Sequence, residues 1–123
     1  MEADSVLAKH RELQERAKRF ALRILKVFRS LPNSKDAQVI GAQLLRSGTS
    51  VAANYRAAGR SRSRAEFVSK VAVVIEGADE SVFWLEFLAA AGIVSQSKLA
   101  PLIAEGNELL AIFSASRRTA KFK

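Results

Sequence analysis

Residues 43–59 read QLLRSGTSVAANYRAAG. Projected at about 100° per residue, Ile40, Leu44, Gly48, Val51, Tyr55 and Ala58 gather on one side, while Gln43, Arg46, Ser50 and Asn54 form a polar stripe away from it. An apolar face at this period makes the stretch a helix, and a helix that only fills a core has little need of a second, polar face. The small residues Ser47, Thr49 and Ser50 fit close approach to a neighbouring helix; no histidine-based triad or nucleophile elbow accompanies them.

The same period recurs on either side. From about residue 5 to 31, Leu13, Ala17, Phe20, Ala21, Ile24, Phe28 and Leu31 make one continuous apolar face, with Arg11, Lys18, Arg19, Arg23, Lys26 and Arg29 behind it. At about 1.5 Å per residue this helix is some 40 Å long, and Leu31-Pro32-Asn33 ends it. Ser34 is suited as the N-cap of the second helix, over about 36–59, with Asp36 in its first turn. Ser63-Arg64-Ala65-Glu66 matches a capping box and starts a third helix over about 64–91. Gly92 suits its C-terminus. A fourth, over about 98–116, carries Leu99, Leu102, Ile103, Gly106, Leu109, Leu110 and Phe113, with Pro101 expected in or near the first turn. The basic tail, 117–123, is expected to fray.

The third helix is apolar on nearly every face. Phe67, Val71, Val74, Ile75, Ala78, Val82, Leu85 and Ala89 form its main stripe, and Val73, Phe83, Trp84 and Phe87 lie opposite, beside Glu76 and Glu80. Such a helix is either central or covered on its second face by another subunit. Strand signals are nearly absent, since the β-branched run VSKVAVVIEGADESV keeps the 3.6-residue period. Four helices with short connections predict an all-α, single-domain, antiparallel up-and-down four-helix bundle over residues 1–123.

With 123 residues and no Cys, the chain has neither disulfides nor thiolate chemistry, and a reducing, cytoplasmic setting is the expectation. The charged N-terminus lacks a signal-peptide core, and no run of about 18 apolar residues is free of charge. Twenty Lys and Arg against twelve Asp and Glu leave a net charge of +8. That excess suits a nucleic acid, or an acidic protein partner.

Enzyme chemistry finds little to work with. Glu76 and Glu80 share a helix face, but the single histidine, His10, cannot complete a Glu-x-x-His di-metal site and reads as a helix-end or edge residue. No metal, cofactor or nucleophile–base set is present, so a non-enzymatic protein is expected. The loop Gly59-Arg60-Ser61-Arg62-Ser63-Arg64 matches no phosphate-cradling Walker pattern, and its arginines are either phosphate contacts or a solvated turn.

Arg46-Ser47-Gly48-Thr49-Ser50-Val51-Ala52-Ala53-Asn54, followed by Tyr55-Arg56-Ala57-Ala58, and later Glu66-Phe67, Ile75-Glu76-Gly77-Ala78-Asp79-Glu80-Ser81 and Trp84-Leu85, resemble a known family. It comprises the four-helix-bundle proteins encoded in intervening sequences of bacterial large-subunit ribosomal RNA genes. The resemblance spans about residues 20 to 113. It implies an up-and-down bundle assembled as a ring-shaped pentamer, similar to the accessory protein of diversity-generating retroelements, a basic pentamer that binds nucleic acid and partners a reverse transcriptase. Where relatives often carry an acidic-Gly end after the Asn-Tyr pair, this chain reads Arg56-Ala57-Ala58-Gly59, a more basic variant.

These readings converge on a homo-oligomer, pentameric by resemblance, that binds RNA or DNA through backbone electrostatics. Arg19, Arg23, Lys26, Arg60, Arg62, Arg64, Arg117, Arg118 and Lys121 are the expected phosphate contacts. Arg46, Ser50, Asn54, Glu76, Glu80, Phe83, Trp84 and Phe87 are the expected subunit interface, with Arg46 pairing Glu76 or Glu80 between helices or subunits. The aromatic trio could instead stack on exposed bases, but its helical spacing beside aliphatic residues favours an interface. A ring-shaped scaffold docking an acidic protein partner is the rival reading.

Overall fold

The computed structural model describes residues 2–122, with side chains for residues 8–122. It forms α1 (Glu2–Ser30), α2 (Lys35–Ala58), α3 (Arg64–Ala90) and α4 (Gln96–Phe122). Local chemistry sets most of these limits. The residue before Pro32 is driven out of the α region, so α1 stops. Ser63 Oγ accepts from the Glu66 backbone N–H at 3.1 Å, which supplies one half of the capping box. The Glu66 carboxylate, expected to complete it, is paired with Lys70 one turn on. Ser34 stands at the N-cap of α2 in an extended conformation but makes no side-chain cap bond; the Asp36 carboxylate accepts from the Ala37 N–H at 2.8 Å nearby.

At the end of α3, Gly92 adopts φ +72°, a left-handed conformation that glycine enters without steric cost. Ile93 N–H then reaches the Leu88 carbonyl at 3.0 Å and Gly92 N–H the Ala89 carbonyl at 3.1 Å, the paired bonds of a Schellman motif.

Helix α4 corrects two expectations. It continues to Phe122, so residues 117–122 are helical rather than frayed. Arg117 Nε donates to the Val68 carbonyl at 3.2 Å and ties these last turns to α3. Because α4 begins at Gln96, Pro101 falls in its second turn, not its first. The proline ring has no N–H for the Ser97 carbonyl four residues back.

Contacts between neighbours run in opposite chain directions throughout. Gly48 faces Ile24 and Gly59 faces His10; Gly77 faces Val51 and the Ser47 carbonyl; Gly106 faces Val82 and Phe20. Each helix is therefore antiparallel to the one before it, as an up-and-down bundle requires. The shared interior holds Phe20, Ile24, Leu44, Val51, Tyr55, Leu85, Leu109 and Phe113, all buried. The apolar face read from residues 40–58 is the one turned inward, with Leu44, Gly48, Val51, Tyr55 and Ala58 buried and Ile40 at its margin.

Helices α1 and α4 meet less closely than the other neighbours. Arg16 bridges them, with Nε and Nη2 donating to the Glu105 carboxylate at 2.8 and 2.7 Å and Nη2 lying 2.7 Å from Glu108. The paired carboxylates hold the guanidinium firmly charged, while Arg16 depresses the Glu105 pKa.

Candidate nucleic-acid interface

The structure divides the nine expected phosphate contacts into two groups. Arg19, Arg23 and Lys26 are exposed along the body of α1. Arg60, Arg62 and Arg64 are exposed around the α2–α3 turn, at the end of the bundle where α1 begins and α4 finishes, with Arg118 and Lys121 exposed on the last turns of α4. Ten to seventeen residues of α1 lie between the level of Lys9 and the first group, about 20 Å along the axis.

Arg117 differs from the rest: its Nε is committed to Val68 and its side chain is half-buried. It anchors α4 to α3. Lys121 Nζ lies 5.6 Å from the Phe122 ring centroid, an exposed cation–π contact.

The expected interface residues also separate. On α3, Phe83, Phe87 and Val73 are exposed, at 52%, 43% and 44%, a large apolar area for one helix. Trp84 packs edge-on to both phenylalanines, and its Nε1 donates to Glu80 at 3.3 Å. Within the chain Glu76 and Glu80 are exposed, so burial does not oblige them to find a cation.

Arg46 lies elsewhere. It lines the outer groove between α1 and α2, with Lys18, Leu22, Leu25, Leu45 and Thr49. Among the described residues it pairs with neither Glu76 nor Glu80, which corrects the expectation of an ion pair between adjacent helices of one chain. Ser50 and Asn54 serve each other, because Asn54 Nδ2 donates to the Ser50 carbonyl and Oγ, both at 2.9 Å.

His10, expected at an edge, is half-buried with its ring 4.7 Å from that of Tyr55. Tyr55 OH and His10 Nδ1 are 2.9 Å apart. If the phenol donates, its buried proton is satisfied and the imidazole proton resides on Nε2; the opposite tautomer would orphan the phenol proton. Burial raises the Tyr55 pKa to about 12 and lowers that of His10, so a neutral imidazole accepting from a neutral phenol is the stable pairing. A lone His on the apolar side of one helix gave no sign of a partner forty-five positions away.

Among the described residues no three His, Asp or Glu side chains come together as a metal site, and no helix is long and apolar enough to cross a membrane. Charge here is spread over helix surfaces, not gathered in a cleft, which places the molecule among basic antiparallel four-helix bundles. Over residues 9–115 it matches the family described as 23S rRNA-intervening sequence protein, and it belongs to that family. The crystal structure of a protein with unknown function from the S23 ribosomal protein family of Bacteroides thetaiotaomicron VPI-5482 is similar, with a TM-score of 0.83 and 28% identity. That similarity covers 89% of this chain and 98% of the other. No curated protein matches. The family match includes both motif blocks and stops short of the last eight residues.

Proposed function

We propose that this protein is a cytoplasmic, non-enzymatic ring of identical subunits that binds RNA or DNA through the phosphate backbone. The observation that carries the reading is the exposure of Arg19, Arg23 and Lys26 on α1 and of Arg60 and Arg62 at the bundle end, in a chain of net charge +8. Cations held in solvent on convex helices meet phosphates by charge and carry little base specificity.

Two unlike apolar surfaces support the ring. One is the Phe83–Trp84–Phe87 patch on α3; the other is the α1–α2 groove with exposed Leu22. A contact between different patches repeats head to tail and makes a ring where its rotation closes, whereas a two-fold dimer uses one patch twice. Seating the aromatic patch of one copy in the groove of the next brings Arg46 on the groove rim toward Glu76 and Glu80 beside the patch. The five-fold number comes from the family resemblance.

Native mass measurement and oligonucleotide binding over a salt series test the reading together. It requires a mass of several subunits and an affinity that falls steeply as salt rises. A monomer, or no binding at low salt, defeats it. Partner capture that survives nuclease treatment would favour the protein-docking scaffold instead.

A further inference from the structure

The bundle end where α1 begins holds a cavity of about 750 Å³ that backbone electrostatics does not use. Leu13, Phe67 and Ile112 give it an apolar floor, and Lys9, Ser61 and Thr119 stand at its polar side. Among the described residues, no Asp or Glu lines it. Its size lies within the range of small-molecule sites, which combine an apolar body with a few placed polar groups.

Two polar atoms in this lining, His10 Nε2 and Ser61 Oγ, are buried without a hydrogen-bond partner among the described residues. Buried polar atoms are nearly always satisfied, so two orphans in one cavity mark a place where an acceptor belongs. The Tyr55 phenol occupies Nδ1, which makes Nε2–H a donor. Ser61 adds a hydroxyl donor and Lys9 an ammonium. Gly59 packs closely against the imidazole, where a Cβ would run into His10 Nε2 and Gln14 Nε2, so a ligand reaches Nε2 only with a shift of the α2–α3 turn. Lys9 and His10 stand on α1, Ser61 in the α2–α3 turn and Thr119 on α4, and a phosphate monoester has three terminal oxygens to share among them where a carboxylate has two.

We propose that this end cavity binds a phosphate monoester, with His10 Nε2–H and Ser61 Oγ–H donating to its oxygens, Lys9 supplying charge, and the apolar floor holding the group that bears the phosphate. The site is independent of the nucleic-acid reading. Its ligand is either a free mononucleotide-sized molecule or the 5′-phosphate end of a strand.

His10 is the one histidine of the chain, so a long-range 1H–15N spectrum reports a single imidazole. The full-length protein is titrated with adenosine monophosphate, inorganic phosphate, and one oligonucleotide bearing either a 5′-phosphate or a 5′-hydroxyl. Acetate and sodium chloride at matched ionic strength are the controls. The Nε2 signal is expected to shift saturably with a phosphate monoester, and Ser61→Ala to weaken that binding about tenfold. A response to the 5′-phosphorylated strand but not its 5′-hydroxyl twin assigns the site to strand ends; a response to the mononucleotide alone assigns it to a free ligand. No saturable shift with any monoester overturns the proposal, as do an equal response to acetate or unchanged affinity in Ser61→Ala. Arg19→Ala and Arg23→Ala separate the two readings, because they should weaken oligonucleotide binding and leave the mononucleotide affinity alone.

Discussion

Ser81 of α3 and Ser47 of α2 meet Oγ to Oγ at 3.0 Å inside the core. Ser47 donates onward to the Leu44 carbonyl at 3.0 Å, and Ser81 also lies 2.7 Å from the Gly77 carbonyl. Both hydroxyls are therefore satisfied without water. Their small size, with Gly77 one turn away, sets the separation of the two helices.

Size should matter more than polarity at this contact. A Cβ on Gly77 would stand 3.2 Å from Val51 Cγ2 and 3.3 Å from the Ser47 carbonyl oxygen, a backbone atom that cannot turn aside. Gly77→Val is expected to destabilise by about 1–3 kcal/mol through overpacking. Ser47→Ala leaves Ser81 its carbonyl partner and should cost under about 1.5 kcal/mol. Urea unfolding of both variants checks the ranking; a costlier serine change would reverse it.

The Arg16 clasp predicts an acid-sensitive step. Hydrogen bonding to Arg16 lowers the Glu105 pKa from 4.5, with burial opposing and nearby Arg23 and Arg19 assisting. The resulting stability is complete above pH 4.5 and is lost as pH falls through the lower, folded-state value. Glu105→Gln should cost about 1 kcal/mol at neutral pH, because the pair is partly exposed and Arg16 retains Glu108. The difference from the native protein should shrink in acid, as measured by unfolding at stepped pH.

His10 acts in a different range. Burial lowers its pKa from 6.5, so below pH 6.5 the unfolded chain takes up a proton that the folded chain still refuses. Stability from this residue is constant above 6.5 and declines as pH drops toward the folded value. Tyr55→Phe removes the only described partner of Nδ1 and should cost about 1 kcal/mol. Chemical shifts of the single imidazole, followed with pH, test the direction; a folded-state pKa above 6.5 would contradict it.

Pro101 offers a gain. The site is exposed and helical, and alanine there returns an N–H to the Ser97 carbonyl. Pro101→Ala is expected to stabilise by about 1–3 kcal/mol, read as a higher urea midpoint. An unchanged midpoint would mean that the proline costs nothing in this turn.

Subunit contact can be tested by exchanging charge. Arg46→Glu should weaken the assembly, and adding Glu76→Arg and Glu80→Arg should restore it, in light scattering with helicity monitored alongside. Phe83→Glu should yield folded monomer. A stable ring in Arg46→Glu would place Arg46 outside the contact.

The four helices were legible because their apolar residues repeat at one period from Leu13 to Phe113, and the end of α3 at Gly92 could be read from the glycine alone. Helix α4 was less so. Its start two residues earlier moved Pro101 inward, and the long-range bond from Arg117 to Val68 extended it past the point where periodicity fades. Exposure of Phe83 and Phe87 followed from their position opposite the main stripe. The His10–Tyr55 pair, the Ser47–Ser81 contact and the cavity beside Ser61 depend on which residues different helices bring level, and a helical projection treats one helix at a time.

The division of positive charge along α1 has a geometric consequence for any closed assembly. If the bundle axes stand roughly parallel to the ring axis, every copy repeats its α1 arginines at one height and its turn arginines at another. The assembled particle then carries two stacked hoops of cations, about 20 Å apart. A strand lying on one hoop would follow the circumference, while a strand bridging both would climb the wall, so footprint length against subunit number distinguishes wrapping from crossing.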